Sequence, residues 1–439
     1  MSASTFLRRL FGGARGGVDG AVQQLFRLCD ALIRESGEYA STALAREALA
    51  AYEALDRRGR EPFFDILARD YSPSPEAVRH GAAAYHADPS PANLARLLAS
   101  VEPPRQELFR RLNTAPGGTA ALVEMRKELL KSLRTKPQWA VIDADLMHLL
   151  RSWFNRGFLR LERIDWRTPA IILEKLIEYE AVHAVQGWRD LRRRLEADRR
   201  CFAFFHPQLP DEPIIFIEVA LTRGISAHIQ PLLDVAAPVS VANCDCAMFY
   251  SITNCQEGLR GISFGNLLIK HVAEELRREF PHLRRFATLS PLSGFRRWLE
   301  QKRVEHPKEL APLATLDQPD WHRGEVPEAL QRMLLRLCAY YLLHAKQEGG
   351  GDAEPLDPVA RFHLGNGAAL ERLNWMGDIS ATGMARSAGL MVNYVYWLNE
   401  VERNHERYFR EHMIAASSAV EKLARECALA APAVKGAAA

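Results

Sequence analysis

MFYSITNCQEGLRGISFGNLLIKHVAEELRREF, residues Met248–Phe280, is the stretch on which the fold turns. It reads as a strand ending near Thr253, then a loop carrying Gly258, Gly261 and Gly265, then an amphipathic helix with Leu267, Leu268, Val272, Leu276 and Phe280 on one face. Strand, glycine loop and helix N-terminus together offer backbone N–H groups and the positive end of a helix dipole, which suits a pyrophosphate. The spacing is neither GxGxxG nor a P-loop ending in Lys-Ser/Thr, so a dinucleotide or NTP site is disfavoured, and a purely structural turn fits equally well.

Two further strand-like runs flank this unit, Ile214 to Leu221 and Arg285 to Leu289, while Cys246 to Ile252 begins its own strand. Helices lie between them, so the last two thirds of the chain form a mixed α/β domain. Ser290 follows the Arg285 run directly before Pro291, which holds the serine backbone extended. Ser-Pro turns are commonly structural, and position alone does not make Ser290 functional. Farther on, His363 precedes Gly365-Asn366-Gly367, and a helix-like stretch follows with Asn374, Asp378, Ser380, Ser387 and Asn393 among large apolar residues. That density of amides and hydroxyls implies buried polar groups with assigned partners.

The first third has another character. Val22, Leu25, Phe26, Cys29, Leu32 and Ile33 form one helical stripe after Asp19, a candidate N-cap. Ser74-Pro75, Ser90-Pro91 and Thr168-Pro169 read as three helix starts, with a capping hydroxyl before a proline whose missing N–H costs nothing. Thr119 and Asp145 open two more helices, and the helix begun at Thr168 runs to about Leu195. A helical bundle ending near residue 158 results, with residues 159–439 as the second domain. His80 and His86, six apart, do not share a face for metal binding.

Composition bounds the function. The 439 residues are 48% hydrophobic and 25% charged, as in a globular protein, and 57 Lys plus Arg against 54 Asp plus Glu leave a net charge of +3, too small and dispersed for a nucleic-acid surface. No apolar run approaches the roughly 18 residues of a membrane span. Seven cysteines lack paired CxxC spacing, so neither a zinc site nor a redox motif is expected, and a reducing cytoplasm fits best. His206 with Asp211 and Glu212 resembles a metal set only superficially, since Pro207 and Pro210 make a rigid loop. The interleaved acids of Arg189 to Arg200 suggest a solvated helix face. The basic N-terminus reads as a tail rather than a targeting signal.

Six ordered blocks carry a family resemblance: YEAVHAVQGWRDLRRRL (179–195), FFHPQLPDEPIIFIEVALT (204–222), GLRGISFGNLLIK (258–270), TLSPLSGF (288–295), FHLGNGAALERLNW (362–375) and GLMVNYVYWL (389–398). Together they span most of the chain, which resembles the malonyl-CoA decarboxylase family. The resemblance implies an α+β fold: an all-helical N-terminal domain used in oligomer contacts, then an acetyltransferase-like (GNAT-type) mixed α/β catalytic domain that binds CoA thioesters. It implies conversion of malonyl-CoA to acetyl-CoA and carbon dioxide without metal or organic cofactor, in a homo-oligomer. Arg260, Gly261, Ile262, Ser263, Phe264, Gly265 and Asn266 would form the CoA pyrophosphate loop. Ser290 matches the family's active-site serine, His363 its histidine, and Tyr396 a further active-site tyrosine. The chain departs from the animal enzymes at Ser263, where they carry a glutamate.

The chemistry fits those groups. Loss of carbon dioxide from a malonyl thioester leaves an enolate whose oxygen needs hydrogen-bond donors, and backbone N–H groups at a strand end can supply them. Ser290 and His363 would orient the departing carboxylate, and a histidine with an ordinary pKa near 6.5 suits the general acid that protonates the carbanion. An acyl-Ser290 route remains open at this level, although no GxSxG elbow is present. The rival functions are an acyl-CoA-dependent acyltransferase of the same fold, which would consume an amine, and a non-catalytic CoA-thioester sensor, which would tolerate loss of Ser290 and His363.

Overall fold

The computed structural model describes residues 18–234, 240–262, 264, 268–318, 320–347 and 354–429. The chain divides into two compact units, one comprising the residues up to Arg160 with Phe205–Glu212 and Gln256–Phe264, the other Leu161–Phe204, Pro213–Cys255 and the residues from Gly265 on.

The first unit is built on eight helices among the described residues: α1 (Val18–Arg34), α2 (Glu38–Glu53), α3 (Arg57–Asp70), α4 (Pro75–Ala87), α5 (Pro91–Val101), α6 (Pro104–Leu112), α7 (Gly118–Ser132) and α8 (Ala140–Trp153). On α1 the expected stripe is the buried one, with Val22, Leu25, Cys29 and Leu32 all but inaccessible. Ser74 and Ser90 cap α4 and α5, accepting from the N–H of Ala77 at 3.3 Å and of Asn93 at 3.4 Å. Other expected starts move. Asp19 lies inside α1, and Asp145 lies inside α8, where its carboxylate takes Arg105 and Gln106 as partners. Gly117, left-handed at φ 77°, caps α7 in place of Thr119, whose hydroxyl reaches Asn113 Oδ1 at 2.6 Å.

The second unit is organised by a mixed sheet of eight strands: β1 (Arg160–Ile164), β2 (Arg199–His206), β3 (Leu209–Thr222), β4 (Cys246–Asn254), β5 (Arg285–Thr288), β6 (Ser290–Pro291), β7 (Ala369–Asn374) and β8 (Met391–Val395), in the order β1-β2-β3-β4-β5-β8-β6 with β7 beside β8. Its helices are α9 (Ala170–Tyr179), α10 (Trp188–Arg194), α11 (Gln230–Leu233), α12 (Leu268–Glu279), α13 (Phe295–Glu305), α14 (Glu328–His344), α15 (Pro358–Gly365), α16 (Ala381–Ser387), α17 (Val401–Glu411) and α18 (Ser418–Arg425). The α+β class is therefore as expected, helical first and mixed sheet second.

Three expectations fail here. The helix foreseen from Thr168 to Leu195 is two helices, because Glu180 turns its carboxylate back to accept the N–H groups of Val182 and His183 (2.7 and 2.8 Å) and ends the helical ladder. Thr168 does not cap α9; its hydroxyl accepts from Asp165 N–H instead. The helix-like stretch after Gly367 is strand, short helix and strand, β7-α16-β8, since burial on both faces of β8 removes the alternation that marks a strand.

The sheet positions the site through one irregularity. Strand β3 pairs antiparallel with β4, and a register shift between Glu218 and Val219 leaves Tyr250 as an extra residue on β4. Such a bulge sharpens local twist. On its other edge β4 runs parallel to β5 only as far as Phe249↔Thr288, closed by the Leu289 N–H to Phe249 carbonyl bond at 3.0 Å. Beyond this point the two strands part.

Candidate active site

Where β4 and β5 part, a cavity of about 220 Å³ opens, lined among others by Tyr250, Ser251, Ser290, Pro291, Phe362 and His363. Ser290 begins β6 and pairs with Val392, so the extended backbone expected before Pro291 is a sheet position, and 5% of the residue is exposed. Its Oγ lies 3.0 Å from His363 Nε2, across 73 residues of sequence, and His363 Nδ1 lies 2.8 Å from the Tyr396 hydroxyl, 33 residues on. The three residues named from the motifs meet as one hydrogen-bonded series.

Each is held by a distinct device. His363 is in the last turn of α15, not on the glycine loop that follows it. The register of α15 is set by buried Asp357, which accepts the N–H groups of Val359 and Ala360 at 3.0 and 2.9 Å and the Tyr341 hydroxyl at 3.3 Å. The imidazole stacks on Tyr394, centroids 4.7 Å apart, and the ring of Phe362 meets it edge-on. Tyr396 follows β8 and is fixed by its N–H bond to the Phe286 carbonyl. Asn393, fully buried, clamps the strand ends: its amide donates to the Thr288 and Ser226 carbonyls at 2.7 and 3.0 Å, and its oxygen accepts from Asn374 and Arg372. These are partners of the kind that the run of amides called for.

Burial sets the electrostatics. Burial lowers the His363 pKa to about 3, because desolvation disfavours the charged ring. The imidazole is neutral at pH 7. The ordinary histidine pKa on which the general-acid expectation leaned is therefore not the one this residue has. Burial likewise pushes the phenol of Tyr396 well above its usual range.

Of the expected pyrophosphate loop, Ser263, Gly265 and Asn266 lie outside the described residues, and so does Leu267 from the apolar face of the following helix. Arg260, Gly261, Ile262 and Phe264 belong to the first unit. There Arg126, on α7 and 1% exposed, pairs with Asp143 and donates one Nη1 to the carbonyls of Gly258 and Arg260 at 2.7 and 2.9 Å. Gly258 is obligatory at this position, since a Cβ would fall 2.0 Å from the Val123 carbonyl oxygen. Arg126 was missed from sequence; its signal is a lone guanidinium amid the apolar face of Leu122, Met125 and Leu129.

The remaining candidates are structural. His206 is buried against Phe154 and bonded to the Trp153 carbonyl, and among the described residues no three His, Cys, Asp or Glu side chains gather to hold a metal. All seven cysteines are buried. The Arg189–Arg200 segment is not a solvated face: Arg193, Arg194, Arg199 and Arg200 are buried and ion-paired. A larger cavity of about 820 Å³ shares Val182 with the site and is lined by His183, Arg189 and Arg386, but none of Ser290, His363 or Tyr396 faces it. No helix among the described residues is long and apolar enough to cross a membrane.

Residues 157–434 match the malonyl-CoA decarboxylase C-terminal domain, and residues 71–154 the malonyl-CoA decarboxylase N-terminal domain. The mitochondrial malonyl-CoA decarboxylase of Rattus norvegicus is 38% identical over 360 residues, 75% of this chain and 72% of the rat protein. Among solved structures, malonyl-CoA decarboxylase from Rhodopseudomonas palustris superposes with a TM-score of 0.87 at 49% identity, over 91% of this chain and 99% of that one. The Agrobacterium vitis protein of the same description gives 0.86 at 46%, with the same coverage.

Proposed function

The chain belongs to the malonyl-CoA decarboxylase family, carboxy-lyases that act on malonyl-CoA, and from that premise we propose how its own residues perform the reaction. The observation that carries the proposal is the Ser290–His363–Tyr396 series at the mouth between β4 and β5. The thioester enters this cavity, and its oxygen meets main-chain donors of β4 beyond Phe249, where pairing with β5 has ended. Ser290 holds the carboxylate out of the thioester plane. The C–C bond then breaks into the carbonyl, carbon dioxide leaves, and the enolate is stabilised by fixed dipoles in a site of low dielectric.

His363 protonates the enolate carbon from its neutral ring. The Nε2–H bond breaks as the C–H bond forms, the Tyr396 hydroxyl steadies the ring through its hydrogen bond to Nδ1, and a proton from solvent in the cavity that His363 lines is returned to Nε2. An enolate carbon is basic enough to take a proton from neutral imidazole, and the scheme asks for no metal, no organic cofactor and no acyl-enzyme. The segment Arg260–Asn266 takes the CoA pyrophosphate, the helical domain carries homo-oligomer contacts, and the protein works in the cytoplasm.

Incubating the purified protein with malonyl-CoA alone tests the reading. Acetyl-CoA and carbon dioxide are expected in equal amounts with no amine added; intact malonyl-CoA at neutral pH overturns it, and turnover only with an amine favours the acyltransferase. Ser290→Ala is expected to lower kcat by about 10²-fold or more, with no acyl-enzyme trapped from wild type by rapid quench and mass spectrometry. Undiminished turnover in that variant removes Ser290 from the mechanism.

A further inference from the structure

The hydroxyl of Ser290 has two neighbours, and only one of them can receive its proton. Besides His363 Nε2 at 3.0 Å it meets Thr288 Oγ1 at 2.8 Å, and the geometry makes Ser290 the donor to Thr288. Thr288 is the last residue of β5 and is completely buried. Its side chain cannot turn away freely, because Oγ1 also accepts the Tyr394 N–H at 3.2 Å while its carbonyl is clamped by Asn393 at 2.7 Å.

A serine hydroxyl carries one proton. Once that proton is given to Thr288, the Ser290–His363 bond must be made by hydrogen on Nε2. A neutral imidazole with Nε2–H has a bare Nδ1, which then accepts the Tyr396 O–H at 2.8 Å. The whole series runs one way, Tyr396 to His363 to Ser290 to Thr288.

We propose that Thr288 is a positioning residue that sets this polarity: by accepting the Ser290 proton it holds His363 as the Nε2–H tautomer and keeps Ser290 from being deprotonated by that ring. The consequence for chemistry is direct. With the opposite polarity, Ser290 O–H would point at a bare Nε2, the arrangement that activates a serine for acyl transfer. With the proposed one, Nε2–H is available as a proton donor, and the Ser290 hydrogen can swing from Thr288 to an incoming carboxylate oxygen without any change in His363. Thr288 thus separates a decarboxylating site from an acylating one built of the same serine and histidine. This rests on the roles proposed above for Ser290 and His363, but the tautomer is a property of the resting protein and is measured without turnover.

The test is ¹⁵N NMR of protein labelled at histidine, with His363→Asn identifying the His363 resonances. Wild type at pH 7 is expected to show a neutral ring protonated at Nε2. Thr288→Val, nearly isosteric but without the acceptor, is expected to shift His363 to the Nδ1–H form, and Thr288→Ser to restore the wild-type pattern. With malonyl-CoA, Thr288→Val should lower kcat about tenfold or more while KM stays within about twofold, and Thr288→Ser should retain most activity. An Nδ1–H ring in wild type, or an unchanged tautomer in a folded Thr288→Val protein, overturns the proposal. Where the valine variant does not fold, an Nδ1–H ring in wild type still overturns the proposal, and a folded Thr288→Ala protein that keeps the Nε2–H form overturns it equally. An Nε2–H wild type that leaves malonyl-CoA intact would instead overturn the proposed reaction and spare the assignment of polarity.

Discussion

The second unit buries two polar clusters, and they are built on opposite principles. Beneath α10, β2 and β3 lies a charged one: Arg193 pairs with Asp198 at 2.7 Å, Arg194 with Glu218 at 2.8 Å and Arg200 with Glu279 at 2.6 Å, and their remaining donors reach carbonyls of neighbouring loops. At the mouth between β4 and β5 lies an uncharged one, in which a neutral imidazole and hydroxyls share protons. A buried ion pair is locked in place, because moving either partner strands a charge in low dielectric. A neutral relay can exchange its hydrogen-bond partners at little cost, as the role proposed for it requires. Burial pushes the Glu218 carboxyl up, against the pull of Arg194, and pushes His363 down, so in each case the charged form is the one disfavoured. Only the glutamate has a partner ion to offset that cost.

The comparison can be broken most sharply at His363. His363→Asn is expected to cost about 10³-fold in kcat while thermal stability stays near wild type, since no ion is left unpaired. A large fall in Tm with activity retained would mean that the relay, too, is a structural device. Glu218→Ala should do the reverse, destabilising the fold by about 3–5 kcal/mol through the stranded Arg194 guanidinium, as read by denaturant melts. In whatever fraction remains folded, KM and kcat should be little altered. The smallest effect is the acid dependence. His363 titrates near 6.5 when unfolded and about 3 when folded, so between those values the unfolded chain binds the extra proton. Its contribution is complete above pH 6.5 and is lost as pH falls toward 3. The stability of wild type relative to His363→Asn should therefore drop by about 2 kcal/mol between pH 7 and pH 5. A constant difference would show that the ring is not buried neutral.

Much of the architecture was legible because it rests on local rules. Ser74 and Ser90 cap their helices as a hydroxyl before Pro should, the α1 stripe is the buried face, and the strands at β3, β4 and β5 fall where β-branched and aromatic residues cluster. What failed had a tertiary cause. Glu180 breaks a strongly helical run by capping its own loop and by accepting the Ser251 hydroxyl at 2.7 Å. Strands β7 and β8 looked helical because β8 is buried on both faces and so lacks the alternation that marks a strand. The Arg189–Arg200 run looked solvated because two of the acids that bury it, Glu218 and Glu279, come from a later strand and helix.

Residue types, their order and the six motif blocks are one-dimensional; by themselves they determine the family and the α+β class, and they single out Ser290, His363 and Tyr396 as candidates. The protonation state and direction of the relay are not. Both depend on what surrounds a ring in space: the stacked Tyr394, the complete burial of the imidazole, and a Thr288 acceptor held by Asn393 and the backbone of Tyr394. Sequence supplies an imidazole with an ordinary pKa; only the folded surroundings, by excluding water and dictating where each hydroxyl proton goes, make it a neutral donor.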